Sequence, residues 1–436
     1  MSARGAFRKL TVKVPPERPF RSRPAAVVDA RNAGHLRRLN ADRVLAVAMD
    51  RTEAFTRAEL MEATALSAPT VGTLTRALIR GGLLRDLGTG PSRGGRRPSF
   101  MEFNARHGFV AAISMGATRT RVAIADLRGE RLAHRTLPNP AGLGPEALLT
   151  HLGEATLALL REARIRRRRL LAAVAGAPGA VDLAHGVVTA LAPNLRGWSN
   201  VPMSGILEGV LGVPVVVEND VNLAILGERW RGAAQGHETC AFVHVGSGIG
   251  AGIVVGGELH RGHHSFAGEI GLMPTAPERL AGGSDGSGCL ETVAGIKGAA
   301  ARWPPAQGGE RRGWIEALFQ GAAAGDATAK AAIDQTANLL GVAVAHLSLV
   351  LDPSLVVLGG ALFDQGGDFA GAIRSVVRRI DPAPPEVVVS ALGNEAALWG
   401  CLLVATNEAR FRLRHKFGAP DTGRRSREPF ERREAR

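Results

Sequence analysis

Cysteine is scarce in this 436-residue chain: Cys240, Cys289 and Cys401 are the only three, and they lie far apart. Their number and spacing exclude a disulfide framework and make a reducing cytoplasm the natural setting. No uninterrupted apolar run of about 18 residues occurs, so no membrane span is expected. The opening stretch MSARGAFRKLTVKVPPERPF carries positive charge but no apolar segment after it, which argues against a secretory signal. What is present suits a large globular chain. Hydrophobic residues make up 45% of it, and mean hydropathy is +0.03. That length exceeds one ordinary core and predicts two or three domains.

Charge of the acidic sign is short at both ends. Residues 1–110 hold 20 Lys and Arg against 9 Asp and Glu, and residues 410–436 hold 10 against 4. The 299 residues between them hold 24 against 27, so the net charge of +14 sits at the two ends of a nearly neutral body. A basic N-terminal module points to a polyanion, above all nucleic acid. Residues 1–30, with Pro15, Pro16, Pro19 and Pro24, read as a flexible basic arm. GRRSREPFERREAR lacks apolar periodicity, and residues 410–436 are expected to form a disordered basic tail.

Order is expected to begin near LRRLNADRVLAVAMD, where Leu39, Val44, Leu45 and Val47 make a helical apolar stripe. Thr56 followed by Glu59 is a capping box for a helix that ends near Thr64. Ser67 and Pro69 then open a second helix, Thr70 to Arg80, which buries Val71, Leu74, Leu78 and Ile79. Its expected exposed face is Thr70, Thr73, Thr75, Arg76 and Arg80. Two short helices across a tight turn make a helix-turn-helix, with the second helix set for base contacts. LLRDLGTGPSRGGRRPSFMEFN reads as a β-hairpin wing whose tip carries Arg93, Arg96 and Arg97, a placement suited to phosphates or a minor groove. The competing reading is a small helical adaptor with a solvated charged loop. Helix pair, wing and charge together favour a DNA-binding domain over 31–105.

From Gly108 the texture changes to strands and glycine turns with later helices, an α/β pattern. FVAAISMGATRTRVAIADLRGERLAHRT predicts a three-strand meander. ISMGATRTRVAI and VHVGSGIGAGIVV look like two copies of one strand–glycine–strand unit, which predicts two duplicated lobes facing across a cleft. In the second copy Gly246, Ser247 and Gly248 would let backbone N–H groups approach an anion, although such a turn is more often just a hairpin. Glu218, Asn219 and Asp220 end an apolar strand, where α/β folds place ligands. Asp220 beside Asn219 suits a sugar hydroxyl. A plain helix-capping role for Asp220 stays open on these residues alone.

GAPGAVD, APNLRGW, VENDVNLAILGERWRGA, VGSGIGAGIVVGGELHRG, AGEIGLM, GCLE and VVLGG occur in the order and spacing of ROK proteins. Over about residues 108–405 the chain resembles this family of repressors and sugar kinases. The module in front, GGRRP included, resembles the DNA-binding part of the family's transcriptional regulators. The resemblance implies an α/β fold: a winged helix-turn-helix followed by a two-lobed actin/hexokinase-like body. It further implies a sugar site of Asn194, Asn219, Asp220, Glu269 and Glu291, with Gly179 allowing close backbone approach. Asp220 matches the family's catalytic base. The turn at Gly246, Ser247 and Gly248 matches its second phosphate loop, and Gly359 and Gly360 match its nucleotide-side glycines.

Two departures bear on chemistry. The kinases' first phosphate loop, D-x-G-G-T-K, reads here Ser114, Met115, Gly116, Ala117, Thr118, Arg119. The carboxylate that helps hold Mg²⁺ is absent and a methyl replaces a glycine hydrogen, which argues against ATP, Mg²⁺ and phosphoryl transfer. The family's zinc site also departs, with Leu272 at its histidine, Gly282 and Ser284 at two cysteines and Asp285 at a glycine. Gly288, Cys289 and Glu291 keep the pattern. One ligand of four does not hold structural zinc, so no metal is expected. Cys289 is then an inert, partly buried residue, and His263 and His264 are expected at the surface or the sugar rim. Leu272 should also reshape the pocket near the sugar's anomeric end.

The function expected is a sugar-responsive regulator, a repressor above all, that binds operator DNA as a homodimer or homotetramer away from any membrane. The alternatives are an ATP-dependent sugar kinase with a DNA-binding extension, resting on Asp220 and the second phosphate loop, and a DNA-binding protein whose body only dimerises.

Overall fold

Thr56 and Glu59 close the capping box that their spacing predicts. The Glu59 amide donates to Thr56 Oγ1 (3.3 Å), and the Thr56 amide donates to Glu59 Oε2 (2.7 Å). The computed structural model describes residues 33–89, 98–140, 142–190, 197–246, 248–276, 289–304, 311–363 and 368–418. The arm 1–30 and residues 419–436 lie outside the described residues.

The N-terminal unit contains helices α1 (Ala33–Asp50), α2 (Arg57–Thr64) and α3 (Ala68–Arg80). Strands β1 (Phe55–Thr56), β2 (Leu84–Thr89) and β3 (Ser99–Phe103) form an antiparallel sheet in the order β1-β3-β2. This is the helix pair and wing that the sequence predicts. Ala65, left-handed at φ 54, ends α2, and Pro69 occupies the first turn of α3. Leu39 departs from the expected stripe: it is 44% exposed, and Ala41, Val44, Leu45 and Ala48 supply the buried face of α1 instead.

The body repeats one topology twice. Strands β4 (Phe109–Met115), β5 (Arg119–Asp126), β6 (Arg131–Pro138), β7 (Leu170–Ala177) and β10 (Val215–Asn219) form the order β10-β7-β4-β5-β6. Strands β11 (Cys240–Val245), β12 (Ile249–Val255), β13 (Glu258–Leu259), β14 (Leu355–Gly359) and β15 (Glu386–Val389) form β13-β12-β11-β14-β15. In each sheet the first three strands make an antiparallel meander and the last two join in parallel. β4 is buried along its whole length, which is why it reads as a continuous apolar run. A small hairpin, β8 (Ala180–Asp182) with β9 (Val187–Ala190), extends the first lobe.

Helices α4 (Pro145–Glu162) and α5 (Met203–Leu211) cover the first sheet. Helices α7 (Leu290–Ala294), α8 (Ile296–Arg302), α9 (Arg311–Ala323), α10 (Ala327–Leu351) and α11 (Phe369–Ile380) cover the second. By length and composition α10 is apolar enough to cross a bilayer, but half of its most apolar window is buried against the second lobe. Between the lobes lie α6 (Asp220–Arg231) and α12 (Ala396–Gly418).

Helix α12 corrects one expectation. Residues 410–418, assigned to a disordered tail, are helical and lie against α1. Arg410 and Arg414 are held there by partners far away in sequence, which local periodicity does not register. One continuous apolar core joins Leu45, Leu60, Val71 and Leu78 of the N-terminal unit to Ala112 and Val174 of the first sheet and to Leu402 and Ala409 of α12.

Candidate functional site

The cleft is built where β10 hands over to α6. Asn219, the last residue of the strand, caps the helix: its Oδ1 accepts from the amides of Val221 (2.9 Å) and Asn222 (3.0 Å). Its Nδ2 donates to the Gly179 carbonyl (3.0 Å), and Gly179 sits at φ +90, where glycine is favoured. The capping role left open for Asp220 thus belongs to its neighbour. Asp220 occupies the first helical position, partly buried. Burial pushes its carboxyl up to about 7, and the nearby Glu269 carboxylate pushes the same way against the amides of Val221 and Asp220 itself.

Glu269 comes from the loop after β13, and its own carboxyl is raised by burial and by the charge of Glu291. Glu291, in the first turn of α7, accepts from the Ile249 amide (3.0 Å) and so ties that helix to the glycine hairpin of the second lobe. The structure therefore brings Gly179, Asn219, Asp220, Glu269 and Glu291 together where the two lobes meet at the start of α6. Asn194 lies outside the described residues. Leu272, at the position of the family histidine, is 54% exposed.

Two neighbours of this site escape a reading by motif. Glu218 is buried; its Oε1 accepts from the Asn219 amide (2.9 Å) and Asn222 Nδ2 (3.0 Å), and its Oε2 accepts from Arg261 Nε (2.8 Å). Arg261 belongs to the second lobe, so this pair spans from one cleft wall to the other. A glutamate before NDV and an arginine 43 residues later carry no local signal of pairing. Asn139 is the other. Its Nδ2 donates to Gly116 O (2.7 Å), its amide to Thr118 O (2.8 Å), and its Oδ1 accepts from Thr120 (2.7 Å). It stitches shut the turn that would be the first phosphate loop.

That turn offers no carboxylate: Ser114 is buried, and Thr118 and Arg119 face solvent. Its residues do not fit the Mg²⁺-holding role. In the second loop the Gly246 amide donates to Gly248 O (2.9 Å), and Ser247 lies outside the described residues. Gly359 packs on the Phe242 ring, and Gly360, at φ +107, lies under the Val245 carbonyl. Strand packing alone demands both glycines, whether or not a nucleotide lies beyond them.

Cys289 is a free, partly buried thiol whose backbone pairs antiparallel with that of Pro274. Among the described residues no three His, Cys, Asp or Glu side chains converge as a metal site. Gly282, Ser284, Asp285 and Gly288 lie outside the described residues. His263 and His264 are both exposed, their rings packed edge to face at 4.4 Å.

On the N-terminal unit, α3 presents Thr73, Arg76 and Arg80 to solvent, with Thr70 half-buried. Arg76 donates to Thr73 Oγ1 (3.3 Å). Thr75 corrects the expected face. It is fully buried, its hydroxyl donates to Val71 O (2.8 Å), and it accepts from Arg57 Nε (3.2 Å). Its position in the helix points it at α2 rather than outward. Arg93, Arg96 and Arg97 lie outside the described residues.

The cleft and this unit are mechanically joined. A Cβ on Gly227 of α6 would strike the Ala396 carbonyl of α12, and one on Gly400 would strike the Leu223 carbonyl of α6, so the two helices are in backbone contact. At its far end α12 holds the N-terminal unit. Arg414 forks onto Asp42 (2.7 and 2.8 Å), and Arg410 donates to Leu127 O (2.7 Å) and lies 3.6 Å from Asp50. Arg128, in the β5–β6 turn, donates to the carbonyls of Thr52 (2.9 Å) and Arg51 (3.0 Å).

Sequence comparison decides the family, because the ROK family profile matches residues 110–408. The chain belongs to the ROK family. A xylose repressor from Caldicellulosiruptor bescii is 28% identical over 86% of this ROK chain and 96% of its own length. A glucokinase from Halalkalibacterium halodurans is 31% identical over 67% of this chain and 93% of its own. Among solved structures, a ROK hexokinase from Thermus thermophilus superposes with a TM-score of 0.59 at 32% identity, covering 70% of this chain and 99% of that one. A ROK family transcriptional regulator, a homologue of the E. coli MLC protein, superposes with a TM-score of 0.70 at 24% identity over 87% and 99%. It shares the fold of the N-terminal unit together with the body.

Proposed function

We propose that this ROK protein is a cytoplasmic, sugar-responsive transcriptional repressor that binds operator DNA as a homo-oligomer through its winged helix. The observation that carries this reading is the joint between cleft and winged unit. Asn219 and Asp220 sit at one end of α6, α6 interlocks with α12, and α12 grips α1 through Asp42 and Asp50. The extent of the relatives supports it: the match to the xylose repressor takes in the winged unit, whereas that to the glucokinase is limited to about the length of the body.

The ligand class follows from the cleft. Amide and carboxylate groups beside Gly179 suit the vicinal hydroxyls of an aldose. Sugar that binds one arrangement of the lobes more tightly shifts DNA affinity by that difference and no more. Fluorescence anisotropy with an operator selected by the intact protein from a random duplex pool tests this, with D-xylose, D-glucose and other aldoses added in turn. Selective binding that one sugar weakens is expected. Absence of sequence-selective, salt-dependent binding would overturn the reading.

Asp220 favours one second reading, a sugar kinase. A carboxyl titrating near 7 is poised to take a hydroxyl proton. ADP release over the same sugars, abolished by Asp220→Asn, would establish it.

A further inference from the structure

A ridge of arginines on the first lobe belongs neither to the sugar-site residues nor to the winged helix. REARIRRRR, residues 161–169, leads from the end of α4 into β7. Two of its arginines have structural work. Arg167 donates to Leu211 O (3.1 Å) and Val210 O (2.8 Å), which closes the C-terminus of α5. Arg169 stacks on Phe109 at 4.9 Å. The side chains of Arg161, Arg164, Arg166 and Arg168 are exposed, and none of them makes a hydrogen bond or ion pair among the described residues. The C-terminal dipole of α4 accounts for cations at 161 and 164. It does not account for Arg166 and Arg168, which lie beyond the helix and repel their neighbours.

At Arg169 the ridge comes up to the joint with the winged unit. His107 Nδ1 donates to Gly82 O (3.1 Å), two residues beyond the end of α3. Burial pushes His107 below its ordinary value, and Arg169 and Lys416 push the same way, so their positive field reaches this joint. Arg80, Arg106 and Lys416 are exposed around it. Positive charge thus runs from the end of the recognition helix, across the joint, onto the body.

We propose that Arg164, Arg166 and Arg168 form a second DNA contact that binds phosphates of the duplex flanking the operator. Unpaired guanidinium groups present several donors to phosphate oxygens, and such contacts position DNA without reading its sequence. The proposal rests on the DNA-binding reading above and extends the footprint from the winged helix to the first lobe.

The test compares the full chain with the R164Q/R166Q/R168Q variant and with the charge-preserving R164K/R166K/R168K variant. Each is titrated with the selected operator as a core duplex and as one extended by about 15 base pairs on each side, over a series of salt concentrations. Each lost phosphate contact lowers the slope of log K against log salt by about 0.9. On the extended duplex the glutamine variant should lose roughly 2 to 3 from that slope, whatever the flanking sequence, while on the core duplex it matches the intact protein. The lysine variant should keep most of the slope. Matching unfolding midpoints show that the fold is unchanged.

Equal slopes for the intact and glutamine proteins on the extended duplex would overturn the proposal. So would an equal loss on both duplexes, which marks a general field rather than a flank contact. Unchanged DNA binding together with lost binding of poly-glutamate would assign the ridge to an acidic protein surface. An intact protein that selects no operator would instead fail the DNA-binding reading itself, and this proposal with it.

Discussion

Gly227 on α6 and Gly400 on α12 face each other so closely that neither has room for a methyl group: each Cβ would meet a carbonyl of the opposite helix. This contact sits midway between the cleft and the winged unit. Gly400→Ala should force the helices apart at a cost of about 1–3 kcal/mol, as overpacking does elsewhere. We expect a lower unfolding midpoint and a weakened effect of sugar on operator affinity. A variant with a wild-type midpoint and full sugar response would contradict the interlock.

The grip on α1 allows a cleaner separation, because it lies far from the cleft. Arg128→Ala combined with Arg414→Ala removes the carbonyl bonds to Arg51 and Thr52 and the fork onto Asp42. Sugar affinity, read by calorimetry without DNA, should stay within about twofold, since distant sites add independently. The coupling between sugar and DNA should fall by about 1 kcal/mol, roughly fivefold. Unaltered coupling would exclude this route.

Asp220 predicts a pH dependence of stability. Its carboxyl titrates near 7 in the folded chain, well above the ordinary carboxylate value, so the folded state holds the proton more tightly than the unfolded state does. Stability from this group is therefore present at low pH and declines from about pH 4 to about pH 7. Asp220→Asn removes the penalty. Its unfolding midpoint should exceed that of the intact protein by about 3 °C at pH 8 and match it at pH 4. A difference that grows toward low pH would contradict the assignment.

On α3, buried and exposed positions should separate in two assays. Thr75→Val deprives Arg57 of an acceptor and should lower stability by about 1 kcal/mol, with DNA affinity unchanged. Arg76→Ala should leave stability alone and weaken operator binding by about 1–3 kcal/mol. Weakened DNA binding by stably folded Thr75→Val would return that residue to the recognition face.

These contrasts mark how far the sequence could be read. The capping box at Thr56 and Glu59, the meander after Gly108 and the duplicated glycine hairpins are local patterns, and each folds as its pattern implies. Thr75 defeats such reading because a threonine can turn inward when its hydroxyl bonds its own helix and a neighbouring arginine. Helix α12 defeats it for a different reason. Arg410 and Arg414 look like the start of a basic tail until Asp50 and Asp42, hundreds of residues earlier, supply their partners. Within the cleft, Asn219, Asp220, Glu269 and Glu291 were legible through family motifs. The Glu218–Arg261 pair and the Asn139 stitch depend on which strands become neighbours, and that is settled by the fold.

Reciprocal titration tests the central claim most directly, namely that cleft and winged helix form one coupled system. Operator affinity is measured with and without a saturating aldose, and the affinity of the same aldose is measured with and without saturating operator. The account predicts that sugar weakens DNA binding by about tenfold or more, and that DNA weakens sugar binding by the same factor. Tight binding of both ligands with neither affecting the other would contradict it.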